Sequence, residues 1–262
     1  MTQQNQATAL AFFAHPDDAE ILCAGTLARL HTEAGYRIVI ATATSGDAGS
    51  ATLRPDEISR IRADEARASA RLLDGEYFCA GCQDLFICYD RPTIQRFVEI
   101  VRRARPRIVF THSPDDYMID HEMTSRLVRT ACFGAPARNV LTEAPGPAEA
   151  LAAVPHLYYA DPLEGIDIFG RPIEPDLIVD ISGTMGMKER MLSAHASQRE
   201  WLRAHHGIDE YVLAMKRWAE HRGRRIGAAF GEGFRQHKGH AYPQSDLLGE
   251  LLDGRGRDNV TA

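Results

Sequence analysis

The chain has 262 residues, 44% of them hydrophobic and 25% charged, proportions of an ordinary globular protein with length for one large α/β domain. A formal net charge of −6 carries no basic excess, which speaks against nucleic acid as a partner. The five cysteines, Cys23, Cys79, Cys82, Cys88 and Cys132, are odd in number and irregularly spaced, which argues against a disulfide-built secreted domain. Cys79-Ala80-Gly81-Cys82 is formally a C-x-x-C, better explained by buried or chance thiols.

Residues Met1 to Thr8 are polar and uncharged, without the basic and apolar regions of a secretory signal. No uninterrupted apolar stretch approaches the ~18 residues of a membrane span. The expectation is a soluble, cytoplasmic protein with no membrane partner.

In chain order, Ala9 to Ala14 predicts a buried strand and Asp18 to Glu33 a helix stopped at Gly35. Arg37 to Thr44 is a short β-branched strand, and Ser45 to Ser50 a small polar loop. Asp56 to Leu73 predicts a charged amphipathic helix with Ile58, Ile61, Ala66 and Leu72 on its apolar side. A short strand over Glu76 to Cys79, a helix over Thr93 to Arg105 and a strand over Arg107 to Thr111 complete a β/α alternation. That rhythm implies a mostly parallel sheet with helices on both faces.

After Phe133 the texture changes. Gly134 to Pro155 reads as a flexible loop, Leu157 to Ala160 and Asp176 to Ile181 as strands, and Thr184 to Ala204 and Asp209 to Ile226 as helices. The stripe Tyr211, Met215 and Trp218 suits core or a contact between copies, so a homo-oligomer is left open. Gly254 to Ala262 reads as frayed. The organisation expected is a single domain over 1–262 with an α-rich C-terminal half.

In such sheets, ligands bind beyond the carboxyl ends of the strands. Ala14-His15-Pro16-Asp17-Asp18-Ala19-Glu20 follows the first strand, and His112 to Glu122, with Asp120-His121, follows the strand ending at Thr111. Catalytic zinc takes three protein ligands and leaves one position open. His15, Asp18 and His121 would supply such a set and leave Asp17 as a base. Helix capping by the aspartates and dipole contacts by the histidines are an equal reading of the same residues.

At these residues the chain resembles the PIG-L/LmbE-like family of zinc-dependent N-deacetylases. The resemblance rests on AHPDDAE at Ala14 to Glu20, on Asp120-His121 before a helix, and on the element order of the first half. It implies a Rossmann-like α/β fold, a Zn2+ cofactor held by His15, Asp18 and His121, and Asp17 as general base. The implied reaction is hydrolysis of an N-acyl amide, often on an amino sugar or conjugate, so the implied partner is a small N-acylated molecule. Many members carry a histidine three residues before the second zinc histidine; here that residue is Met118. The role of that histidine, stabilising the tetrahedral intermediate or protonating the amine, passes to His240, His237 or Tyr117 as candidates. Asp120 is expected to orient the site.

Elsewhere, the resemblance implies Arg62 as a candidate substrate contact, and a solvated helix face explains it at least as well. Asp84 reads first as a turn residue. Phe230 to His240, glycine-rich with Arg235, His237 and His240, predicts a loop closing over the pocket and binding substrate. His195 near Trp201 suits packing. The reading is therefore a metal-dependent amide hydrolase. A metal-dependent phosphoesterase and a non-catalytic sugar- or nucleotide-binding module are the rivals, the last disfavoured for dinucleotides because no G-x-G-x-x-G follows the first strand.

Overall fold

In a computed structural model, residues 6–198, 210–253 and 255–256 are described. The strands are β1 (Thr8–Phe13), β2 (Arg37–Thr44), β3 (Glu76–Cys82), β4 (Pro106–Thr111), β5 (His156–Ala160), β6 (Leu177–Asp180), β7 (Gly231–Gln236) and β8 (Arg255–Gly256). The helices are α1 (Asp18–Leu22), α2 (Ala24–Thr32), α3 (Pro55–Arg71), α4 (Arg91–Ala104), α5 (Ile119–Gly134), α6 (Met185–Ser193), α7 (Glu210–Arg224) and α8 (Leu247–Leu252).

The strands form one sheet in the order β3-β2-β1-β4-β5-β7-β6-β8. Its first five strands are parallel, and β7, β6 and β8 join antiparallel to their neighbours. β1 alternates between two cores. Ala9, Ala11 and Phe13 pack with α2, α6 and α8, whereas Leu10 and Phe12 pack with α4 and α5. Burial on both sides explains why β1 and β2 are almost continuous apolar runs instead of alternating ones. The chain leaves β1 toward β2 and β3 on one side and later returns to β4 and β5 on the other. A crevice therefore opens between the carboxyl ends of β1 and β4.

Several expectations change in detail. The helix expected from Asp18 to Glu33 is two helices, broken at Cys23, whose φ of −146° is not helical. In α3, Ile61 is exposed and Arg62 is buried, so the inward face runs through Ile58, Arg62 and Ala66. The stretch after Phe133 is irregular but not a free linker. Arg102 donates to the carbonyls of Ala135, Ala137 and Val140, and Glu99 accepts from Thr142 and Ala148.

Phe230 to His240 is not a pocket-closing loop: most of it is β7, a buried strand between β5 and β6. Gly233 is required there, because a Cβ would lie 2.2 Å from Oδ2 of Asp161. The helix expected over Thr184 to Ala204 is interrupted after Ser193, residues 196–198 are helical again, and Trp201 lies outside the described residues. Met215 is core, and Trp218 stacks on His221 and lies beneath the Arg222 guanidinium. Of the tail expected to fray, Arg255–Gly256 pairs with β6 and the rest is outside the described residues. No helix among the described residues is long and apolar enough to cross a membrane.

Candidate metal centre

The turn after β1 is closed by its own side chains. The backbone N–H of His15 donates to Oδ2 of Asp18 at 2.7 Å. This places His15 and Asp18 on one side of a tight bend whose apex is Pro16-Asp17. Asp17 has a φ of 108°, a conformation costing a non-glycine residue roughly 1–3 kcal/mol unless its surroundings enforce it. Such strain concentrates where a side chain must be aimed.

His121, on the first turn of α5, enters from the β4 side. Side-chain ligand atoms of His15, Asp18 and His121 lie within 4.8 Å of one another, and all three residues are buried. His15 Nδ1 is 3.3 Å from Asp18 Oδ2, and His121 Nε2 is 3.6 Å from Asp18 Oδ1. A tetrahedral shell with zinc-like bond lengths separates its donors by about 3.4 Å. The spacing and the mixed N/O donor set therefore fit a divalent cation.

Carboxylates around these ligands fix the ring orientations. Asp116 Oδ1 accepts from His121 Nδ1 at 2.8 Å, which leaves Nε2 toward Asp18. Asp120 Oδ2 lies 3.3 Å from His15 Nε2 and accepts the Leu85 N–H at 2.7 Å. Asp84 Oδ1 is buried with no hydrogen-bond partner, 3.9 Å from His15 Nε2. His112 stacks on His121 with ring centroids 3.8 Å apart.

The electrostatics follow from this crowding. Burial opposes charge on His15, but Asp120 and Asp18 outweigh it and raise the ring to about 10. Burial likewise opposes charge on His121, and Asp18 and Asp116 raise it. Burial pushes the Asp18 carboxyl up, yet His121 and His112 hold it well below the usual carboxylate range. His112, buried and beside His121, is pushed down to about 4 and stays neutral. Asp17, Asp18, Asp84, Asp116 and Asp120 are all buried around this crevice, beside His15, His121 and Arg62. A cation that displaces the two ring protons would take over their charge balance with these carboxylates.

The crevice is a cavity of about 550 Å³ whose lining includes His15, Asp18, Arg62, Asp84, Tyr117, Met118 and His121. The structure thus gathers His15, Asp17, Asp18, Arg62, Tyr117, Asp120 and His121. It places Arg235, His237 and His240 elsewhere. Arg235 on β7 donates to Ser113 Oγ at 2.7 Å, His237 bonds the Tyr159 hydroxyl and packs on Tyr242, and exposed His240 follows β7. Reasoning from sequence missed Asp116 and His112, and it read Asp84 mainly as a turn. Asp116 lies five residues before His121 and immediately before Tyr117, a position that reads as turn chemistry until the helix start at Ile119 is known.

Residues 10–132 match the family described as PIG-L: GlcNAc-PI de-N-acetylase, so this segment is a PIG-L family domain and carries both halves of the crevice. The chain is 27% identical over 205 residues to the 4-oxalmesaconate hydratase of Pseudomonas putida, covering 74% of each protein. It is 27% identical over 200 residues to the diacetylchitobiose deacetylase of Thermococcus kodakarensis, covering 70% of this chain and 67% of that one. Among solved structures, a conserved protein of Thermus thermophilus superposes with a TM-score of 0.73 at 26% identity, covering 92% of this chain and 99% of the other. The fold is that of PIG-L/LmbE-type proteins.

Proposed function

We propose that this protein is a metal-dependent hydrolase that removes an N-acyl group, N-acetyl foremost, from an amino sugar or a related conjugate. The carrying observation is the buried His15–Asp18–His121 cluster with Asp17 at the apex of the same turn. Zinc suits this donor set, and when bound it supplies Lewis-acid polarisation of the acyl carbonyl and makes water more acidic. His15, Asp18 and His121 would hold it, and Asp116 and Asp120 orient the two rings. Asp17, not committed to the ligand set, takes the proton of the attacking water.

The amine then needs a proton to leave, and the Met118 thioether offers none. Of Tyr117, His237 and His240, only Tyr117 lines the cavity. Its ring stands edge-on to His121 with centroids 5.4 Å apart. Tyr117 is 62% exposed, yet partial desolvation of its phenol, with Asp18 and Asp116 nearby, pushes it up to about 12, so it keeps its proton at neutral pH. We assign it the role of donor to the substrate. We also read 1–262 as one deacetylase-like domain, a reading supported by the single sheet that runs from β3 to β8.

The test is metal analysis of purified protein together with an amine-release screen over N-acetylglucosamine, diacetylchitobiose and related amides. Full activity in a strong chelator, or no amine from any acylated compound, would sink the reading.

A second reading is favoured by one pairing of observations: the hydratase relative covers 74% of this chain, and Met118 removes the usual amine-directed group. In that case the same base and cation would add water across the double bond of a conjugated unsaturated acid. Loss of the conjugated ultraviolet absorption without amine release distinguishes it.

A further inference from the structure

Arg62 lies mid-way along α3 with only 4% of its surface exposed. A guanidinium is always charged, so at that depth it needs partners; Nε has no hydrogen-bond partner among the described residues, and the contacts are made by the two Nη groups. Nη2 donates to the Pro16 carbonyl at 2.7 Å and lies 3.4 Å from Oδ2 of Asp17. Nη1 reaches the Gly46 carbonyl at 3.4 Å. The loop after β2 is shaped around the same group. A Cβ on Gly46 would lie 2.2 Å from Nη1, and one on Gly49 2.4 Å from it. Two glycines have thus ceded their side-chain space to the guanidinium, which plugs the gap between that loop and the turn after β1.

The turn it grips is the strained one. Asp17 sits at a φ of 108°, and Arg62 holds both the preceding carbonyl and the Asp17 carboxylate. The same face of α3 makes two other attachments: Glu65 accepts from Ser197 N at 2.8 Å, and Ser69 bonds Glu20. α3 is therefore docked by more than Arg62, and losing the guanidinium leaves those struts in place.

We infer that Arg62 is a positioning residue, which holds the Pro16-Asp17 turn so that the Asp17 carboxylate faces the reacting water. The inference rests on Asp17 acting as the base. It differs from a role in gripping substrate in what it predicts: Arg62, which also lines the cavity, would then set KM instead of kcat.

The experiment compares Arg62→Ala, Arg62→Lys and Asp17→Asn in the full-length, zinc-loaded protein, with N-acetylglucosamine and diacetylchitobiose as probes. Arg62→Ala is expected to lower kcat roughly 100-fold, the scale of a misplaced catalytic group. KM and zinc per chain are expected to stay near wild type, and low-millimolar guanidinium ion should restore part of the lost kcat. Arg62→Lys should fall between. A raised KM with kcat retained would overturn the inference in favour of substrate contact, and loss of zinc in both Arg62 variants would overturn it in favour of a structural role. Near-normal kcat in Asp17→Asn would reject Asp17 as base, a separate failure. A crystal structure of Arg62→Ala needs no turnover: Asp17 leaving its positive-φ conformation or swinging its carboxylate supports the inference, and an unmoved Asp17 refutes it.

Discussion

His121 and Asp116 behave as one unit. The carboxylate accepts a hydrogen bond from Nδ1–H at 2.8 Å, and the nitrogen left over is the one that faces Asp18. A ligand histidine oriented in this way is held in one tautomer before any ion arrives. Asp116 is almost wholly buried, and its second oxygen has no hydrogen-bond partner, so no neighbour compensates if it is lost. Asp116→Ala is expected to weaken metal binding by roughly 10–100-fold, measured by competition against a chelator of known affinity. Unchanged affinity would remove Asp116 from the site.

The parallel half of the fold was legible because both faces of its strands are buried. Runs such as Arg37 to Thr44 then announce themselves by apolar and β-branched content alone. β7 was not, since Gly231-Glu232-Gly233 looks like a loop by composition. It is a strand because its neighbours need its space: Glu232 turns inward to accept from Thr26 N and to pair with Lys188. The metal ligands were legible as a local pattern joined to a resemblance. Their supporting carboxylates were not, because Asp84 and Asp116 reach the site only through tertiary packing. Arg62 was partly readable, since Ile58, Arg62 and Ala66 repeat every four residues and a charge on that face has to find partners.

Among the described residues, the two possible ligand groups share His121. His112, Asp116 and His121 also bring side-chain donors within 4.8 Å, but His121 Nδ1 is committed to Asp116, and His112 Nε2 accepts the Ala14 N–H at 3.0 Å. One ion per chain is therefore expected by elemental analysis, and His15→Ala or His121→Ala should lower the ratio toward zero. A ratio near two would instead favour a two-metal phosphoesterase.

Beneath the crevice, His195 Nε2 lies 3.2 Å from Glu20 Oε1, both fully buried and off the line of a good hydrogen bond. Burial opposes charge on each. Nonetheless Glu20 raises His195 above its ordinary 6.5, and His195 with Ser69 holds Glu20 below its ordinary 4.5. The histidine's contribution to stability is complete below 6.5 and is lost as pH rises through its raised folded value. The glutamate's is complete above 4.5 and is lost as pH falls through its lowered one. The pair therefore matters most between those limits. Urea denaturation should find His195→Gln less stable than wild type by on the order of 3 kcal/mol at pH 5.5, with a smaller gap at pH 9. An equal gap at both would mean that packing, not charge, is what His195 supplies.

Gly46 offers a test of the loop after β2 that leaves every ionisable group intact. Its φ of +73° suits glycine, and a Cβ would meet Nη1, Cζ and Nε of Arg62 at 2.2 to 2.6 Å. An alanine there adds backbone strain and pushes a buried guanidinium off the Pro16 carbonyl and Asp17. Gly46→Ala is expected to cost roughly 1–3 kcal/mol of stability, read from thermal or urea unfolding. It should also lower turnover while leaving the metal content at the wild-type value, because no ligand side chain is touched. Gly35→Ala provides the comparison: its φ of +68° carries the same backbone penalty, but no atom lies within 4 Å of the added carbon. If both alanines lower stability equally and neither alters turnover, the loop's contact with Arg62 contributes nothing to the reaction.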